Sequence, residues 1–279
     1  MNSLLIMAGG ASSRMKNSLE KSELSTANKK LARQAHKSLI PLGKEQKPLL
    51  FHLVTHAVLA GYTDIYLITS TENEAFQNYV GKDRTHNFFA NANVHYVLQH
   101  LRKGHRKPLG TADAVEQALE QYPELLDQTF TVCNGDNLYS VAAFKRLLEK
   151  RKAPHALISY ARSALCYDDK RIEKFAIMDI DTNGFLKDII EKPNPESVEK
   201  YKDLMGEARV SMNIFSFYGK HFYPYLKNCP IHPQRGEKEL PEAIRLLNEK
   251  EPNQIECFDR TEHILDLTSA EDIAAFEGF

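Results

Sequence analysis

The opening segment, Met1-Asn-Ser-Leu-Leu-Ile-Met-Ala-Gly-Gly-Ala-Ser-Ser-Arg14, constrains the fold more than any other part of the chain. Its apolar run from Leu4 to Ala8 carries no charge, as a strand buried on both faces requires. The run stops at Gly9-Gly10, where the backbone can turn sharply and present bare N–H groups. Arg14 can reach an anion from the same loop. A strand that feeds such a loop reads as a phosphate or nucleotide site at the carboxyl edge of a parallel sheet. Neither the P-loop pattern nor the three-glycine dinucleotide fingerprint is present, so a plain strand-to-helix turn remains the alternative at this point.

The rest of the first half alternates between strand and helix patterns. Helical spacing over 48–60 begins at Pro48 and stops at Gly61. Strands are expected at 65–69, 94–98 and 130–133, and helices at 72–80, 111–121 and 141–152, with Thr111 able to cap the second of these. This rhythm predicts an α/β fold with a mostly parallel sheet and right-handed crossovers. Beyond it the pattern changes to strands near 155–161, 175–179, 185–190 and 210–217. Helices follow near 219–226 and 239–249, then a strand at 264–267 and a helix capped by Ser269. The polar stretch 16–35 reads as a mobile loop over the suspected site, or as a loop with a short helix.

Composition limits the function classes. The 279 residues are 42% hydrophobic and 26% charged, with a formal net charge of −1. No global field draws the chain to nucleic acid or anionic lipid. No apolar stretch has the roughly 20 residues that span a bilayer. No secretory leader is evident, and Cys133, Cys166, Cys229 and Cys257 form no C-x-x-C pair, so a reducing cytoplasm is the expected compartment.

Several residues have the character of a phosphate-transfer site. Asp136, in Asn134-Gly135-Asp136, lies at a strand's carboxyl end and suits Mg²⁺; it also reads as a turn residue. Asp266 can supply a second carboxylate or simply precede a helix. Arg14, Lys37 and Lys192 lie in or beside turns and are candidates for neutralising a triphosphate. Lys16, Lys29 and Lys30 could share that task, and Arg102 to Lys107 reads either as a phosphate clamp or as a solvated loop. Gly110 and Thr111 open a helix where backbone can approach a flat ring. Asp113 in that first turn reads as a dipole partner. His52 and His56 have metal-ligand spacing but no third ligand, and read as structural.

Taken in order, Leu5-Ile-Met-Ala-Gly-Gly-Ala-Ser-Ser-Arg14, Lys37-Ser-Leu-Ile-Pro-Leu42, Pro108-Leu-Gly-Thr-Ala-Asp-Ala114, Asn134-Gly-Asp136, Ile190-Glu-Lys-Pro193, Ser211-Met-Asn-Ile-Phe215 and Asp266-Leu-Thr268 resemble the sugar-phosphate nucleotidyltransferases (NDP-sugar pyrophosphorylases). The resemblance implies a three-layer sandwich around a Rossmann-like mixed sheet that binds nucleotide, with an inserted substrate lobe. It implies one domain over 1–279, with a nucleotide-binding half at about 1–150 and a sugar-binding lobe at about 151–260. Ala8, Gly9, Gly10, Gln99, Gly110 and Thr111 would hold the nucleotide. Arg14 and Lys37 would lie along the phosphates, and Lys192 on the sugar phosphate. Gly135, Glu191, Asn213 and Glu239 would serve the sugar phosphate side, and Asp136 and Asp266 would hold Mg²⁺. The partners implied are a nucleoside triphosphate and a sugar 1-phosphate, with neither nucleic acid nor membrane, and a homo-oligomer is left open. The first loop departs from the family's usual Gly-x-Gly-Thr-Arg, being closer to the cytidylyltransferase and molybdopterin-guanylyltransferase branch, and Pro241-Glu242 replaces a common Thr-Asp. Two other readings stand beside this one: a glycosyltransferase, for which Asp179-Ile-Asp181 is a formal metal motif, and a non-catalytic nucleotide-sugar sensor.

Overall fold

A computed structural model describes residues 1–10, 12–19, 29, 36–82, 87–89, 91–191 and 193–276. Lys30, Lys192 and most of the 20–35 stretch lie outside the described residues.

In chain order the elements are β1 (Ser3–Met7), α1 (Ser13–Ser18), β2 (Pro41–Leu42), β3 (Lys47–Pro48), α2 (Leu49–Ala60), β4 (Asp64–Ser70), α3 (Glu74–Val80), β5 (Asn93–Gln99), α4 (Thr111–Gln121), β6 (Thr129–Asn134), β7 (Asn137–Leu138) and α5 (Val141–Leu148). They continue with β8 (His155–Ala161), α6 (Asp169–Ile172), β9 (Ile177–Ile180), β10 (Leu186–Ile190), β11 (Arg209–Tyr218), α7 (Gly219–Lys227), α8 (Leu240–Lys250), β12 (Ile255–Arg260) and β13 (Leu265–Asp266). The chain forms two compact units. One comprises Met1–Leu98, Cys133–Phe144 and Ile264–Phe279; the other comprises Gln99–Val132 and Lys145–His263.

In the first unit, β1 pairs in parallel with β4, residue for residue from Ser3↔Asp64 to Met7↔Ile68, and β5 lies beside β4. Leu4, Leu5 and Ile6 are fully buried, which explains the uninterrupted apolar run. Helix α2 buries Leu49, Leu50, Leu53, Val54 and Ala57, the helical spacing that its sequence carries. It ends at Gly61, whose φ of 107° is left-handed.

In the second unit the sheet is mixed. Strand β8 runs antiparallel to β11 and parallel to β12, and β9 runs antiparallel to β10 and β11. Helices α4, α7 and α8 pack against one another. Phe130, Phe215, Phe217 and Phe222 are buried to within 1% of full enclosure and form the aromatic part of the core.

Several sequence expectations need correction. The helix expected over 141–152 stops at Leu148. The helix expected after Ser269 is a 3₁₀ turn, Ala270–Phe276. The N-cap of α4 is Gly110 rather than Thr111, because the Thr111 hydroxyl instead accepts the Leu240 N–H at 2.8 Å. Strand β12 was not foreseen: Glu256, Asp259 and Arg260 mask it, although Glu256 is 8% exposed and receives the Lys152 N–H at 2.6 Å.

Candidate active site

In the first unit the site grows out of the end of β1. Ala8 N–H donates to Ile68 O at 2.8 Å, so the ladder continues one residue past the strand. Ala8 can therefore offer a ligand its carbonyl but not its N–H, which narrows the role expected of it. The chain then leaves the sheet at Gly9 and Gly10. Ser12 takes a left-handed φ of 54°, its hydroxyl accepts the Lys37 N–H at 3.3 Å, and its carbonyl accepts the Lys16 N–H at 3.0 Å. Met15 and Leu19 anchor α1 with no exposure, which leaves Arg14 on the helix's exposed face.

His36, which the sequence motifs passed over, closes this loop. Its Nε2–H donates to Gly10 O at 2.9 Å, since a carbonyl only accepts. Its Nδ1 accepts the Ser38 N–H at 3.3 Å and lies 2.8 Å from Ser38 Oγ. The ring leans on Phe76, with centroids 5.2 Å apart. Burial, reinforced by the Lys37 charge, pushes the His36 pKa down to about 4, so the ring is neutral near pH 7.

Lys37, the next residue, donates from Nζ to Asp136 Oδ2. The two side chains are 14% and 15% exposed. Asp136 is held there by Gly135, whose N–H donates to Met7 O at 3.0 Å. A Cβ at residue 135 would sit 2.9 Å from that same oxygen, so only glycine lets β6 deliver Asp136 this close to β1. The second carboxylate arrives through β13, which pairs with β7 so that Asp266 faces Asn137. The Leu267 N–H donates to Asp136 O at 2.7 Å. Thr268 Oγ1 donates to the Asp266 carboxylate at 2.9–3.0 Å. Asp136 and Asp266 thus lie on adjacent chain segments and supply only hard oxygen donors, a donor set that fits Mg²⁺.

The second unit holds the remaining candidates. Gln99 ends β5 and is 9% exposed. Its Nε2 donates to Gly110 O at 3.0 Å and to Asp113 Oδ2 at 3.2 Å. Gly110 has a φ of 107°, and a Cβ there would meet Lys238 O at 2.5 Å. The turn before α4 is stitched to the 238–240 segment by Ala112 N–H to Lys238 O (3.0 Å) and Lys238 N–H to Leu109 O (2.6 Å). Asp113 is fully buried, so it is more than the dipole partner expected. Residues 103–107 form the exposed loop that was one of the two readings, whereas Arg102 at its start is half-buried and its Nε donates to Asp113 Oδ1 at 2.6 Å. Burial opposes its charge, but Asp113, Glu120 and Glu116 outweigh that and raise its pKa.

Glu191 and Glu239 line one cavity of about 310 Å³, with Asp188, His232, Arg235 and Arg245 among their neighbours. Arg235 holds Glu239 by an ion pair. Asn213 is not among the residues lining this cavity. It sits where the β11–β8 register shifts between Ser211 and Phe215. Its left-handed φ of 55° is uncommon for a side-chain-bearing residue and marks a bulge that re-aims it. Lys192 lies outside the described residues.

Other motifs resolve as structural. His56 Nδ1 lies 2.8 Å from Tyr139 O, and no group of three or more metal-ligating side chains occurs among the described residues. Asp181 Oδ1 accepts the N–H groups of Asn183 (2.9 Å) and Phe185 (2.8 Å) in the β9–β10 turn, which uses the Asp179-Ile-Asp181 motif as a hairpin.

A glycine loop after a buried parallel strand, with a lysine–carboxylate pair at the neighbouring strand end, is the arrangement of a phosphate-handling α/β protein. The chain belongs to the nucleotidyl transferase family, which matches it over residues 4–275. Solved structures with the same fold include a UDP-glucose pyrophosphorylase complexed with UDP-glucose (TM-score 0.70, 16% identity, 100% of this chain and 97% of that one). They also include a putative glucose-1-phosphate thymidylyltransferase from Bacillus anthracis (TM-score 0.68, 19% identity, 100% and 94%). A UDP-glucose pyrophosphorylase from Acinetobacter baumannii is a third (TM-score 0.70, 17% identity, 99% and 92%). The mixed α/β fold expected from the sequence is the fold observed.

Proposed function

We propose that this nucleotidyl transferase moves a nucleoside monophosphate from a nucleoside triphosphate to a sugar 1-phosphate, giving an NDP-sugar and pyrophosphate. The observation that carries the reading is Lys37 on Asp136 beside the end of β1, within a family match of nearly the whole chain. Relatives of the same fold that act on glucose 1-phosphate or bind UDP-glucose support the choice of acceptor.

In the reaction a phosphate oxygen of the sugar 1-phosphate attacks the α-phosphorus in line. The bond from that phosphorus to the bridging oxygen breaks, and pyrophosphate leaves with the electron pair. The acceptor is already an anion, so no strong general base is needed, and the obstacle is repulsion between anions. Lys37, Arg14 and Lys192 contribute positive charge, while Gly9 and Gly10 present loop backbone to the phosphates. Mg²⁺, when held by Asp136 and Asp266, would neutralise phosphate charge and orient the reacting groups. Gln99, Gly110 and Thr111 serve the base and ribose. Gly135, Glu191, Asn213 and Glu239 serve the sugar phosphate. The chain would act as one domain, 1–279, in the cytoplasm; none of its described helices is long and apolar enough to cross a membrane.

The test is a pyrophosphate-release screen over nucleoside triphosphates and sugar 1-phosphates, with Mg²⁺ and with chelator. Metal-dependent release with at least one pair is expected. Sugar transfer to an acceptor without pyrophosphate would indicate a glycosyltransferase. Binding of a sugar nucleotide with no turnover would indicate a sensor.

A further inference from the structure

The two ends of the Gln99 carboxamide meet different chemistry. Its amide group faces Gly110 O and Asp113 Oδ2. A carbonyl accepts hydrogen bonds and never donates, and so does an ionised carboxylate. Turning the amide over would set its oxygen against both, acceptor against acceptor. Asp113 is paired with Arg102, whose Nε donates to Oδ1 at 2.6 Å. Gln117 Nε2 donates to Oδ2 at 2.8 Å. Gln117 is oriented in turn by the His100 backbone, accepting its N–H at 2.8 Å and donating to its carbonyl at 3.0 Å. Arg102, Gln117 and Gln99 therefore all donate to Asp113, which accepts from each. Among the described residues no donor reaches Gln99 Oε1, so that oxygen is the group left to accept.

We propose that Asp113 is a positioning residue that holds the Gln99 carboxamide oxygen toward the nucleobase, so that the enzyme selects bases carrying an imino N–H: uracil, thymine or guanine. This rests on the reading of Gln99 as the base-facing residue of a nucleotidyltransferase. In cytosine and adenine the equivalent ring nitrogen is bare. Its lone pair would face Oε1, and a buried acceptor would lose its donor. A single mismatched hydrogen bond of this kind is enough to discriminate between substrates.

The experiment compares UTP, dTTP, GTP, CTP and ATP on the full-length protein, by calorimetric binding and by kcat/KM for pyrophosphate release. One imino N–H nucleotide should exceed both CTP and ATP by at least about tenfold in each readout. Equal or better use of CTP or ATP overturns the inference while leaving the transferase reading intact. No binding and no turnover with any nucleotide overturns both. Asp113→Asn can donate to Oε1 and so permits the flip. It should shrink the ratio of UTP to CTP, or of GTP to ATP, about tenfold through KM for the nucleotide, with KM for the sugar phosphate unchanged. A uniform loss across all nucleotides would mean that Asp113 is merely structural. Gln99→Met, near in size and at a strand end, keeps the test available if Asp113→Asn does not fold: a wild-type preference retained in that variant also overturns the inference.

Discussion

The Lys37 ammonium rests on the Asp136 carboxylate, joining the 3₁₀ turn Lys37–Leu39 to the end of β6 across 99 residues of chain. Both side chains are largely but not wholly enclosed, so neither charge is desolvated completely and an incoming phosphate or cation can still compete for its partner.

Asp136→Asn keeps the shape of the side chain and removes the charge. Turnover should fall by about 10²–10³-fold, the range seen when one preorganised electrostatic group is lost. The thermal midpoint should stay near that of the wild type, since Gly135 and Leu267 hold this turn through backbone bonds. Near-normal turnover at saturating Mg²⁺ would remove Asp136 from the metal.

His36 makes stability depend on pH in a defined direction. Its folded pKa, about 4, lies below its ordinary 6.5 because burial disfavours the charged ring. Between those values the unfolded chain binds more protons, so stability is full above about pH 6.5 and is lost as the pH falls toward 4. One such group contributes about 1.4 kcal/mol per pH unit across that window. His155 acts in the same direction, with its pKa pushed down to about 3 by burial and by His221. Denaturant midpoints at pH 7.5, 6 and 5 should decline, and the decline should be shallower in His36→Gln. An identical slope in the variant would refute the assignment.

Gly110→Ala places a methyl 2.5 Å from Lys238 O at a left-handed backbone position. The strain should cost roughly 2–4 kcal/mol of unfolding free energy. Urea titration would show this as a lower midpoint, and an unchanged midpoint would mean that the 238–240 segment yields freely.

Asn213 separates strain from function. Asn213→Gly should hold or raise stability by up to about 1 kcal/mol, because glycine accepts the left-handed φ. The same variant should raise KM for the sugar 1-phosphate about tenfold, the loss of a hydrogen bond or two. A stable variant with unchanged KM would show that the bulge serves the fold alone.

Much of this was legible in the sequence for simple reasons. The uninterrupted apolar run at Leu4–Ala8 has one comfortable home, a strand buried on both faces, and β1 is that strand. Gly61 and the Asp181–Gly184 turn end their elements where the left-handed positions fall. What was hidden depends on distant partners. Nothing near His36 in the chain signals that it will reach back to Gly10, 26 residues away. Asp113 looked like a first-turn carboxylate until Gln99, Arg102 and Gln117 converged on it. Strand β12 was obscured by its charged residues, of which Glu256 is buried on the Lys152 N–H while Asp259 accepts the Ser159 hydroxyl.

The path of the chain through its two compact bodies has a consequence for engineering and for evolution. The backbone passes from one body to the other at 98/99, 132/133, 144/145 and 263/264, and β5, β6 and α5 are each divided between them. No one cut releases either body as a continuous polypeptide, so neither can be transplanted, duplicated or replaced as a cassette.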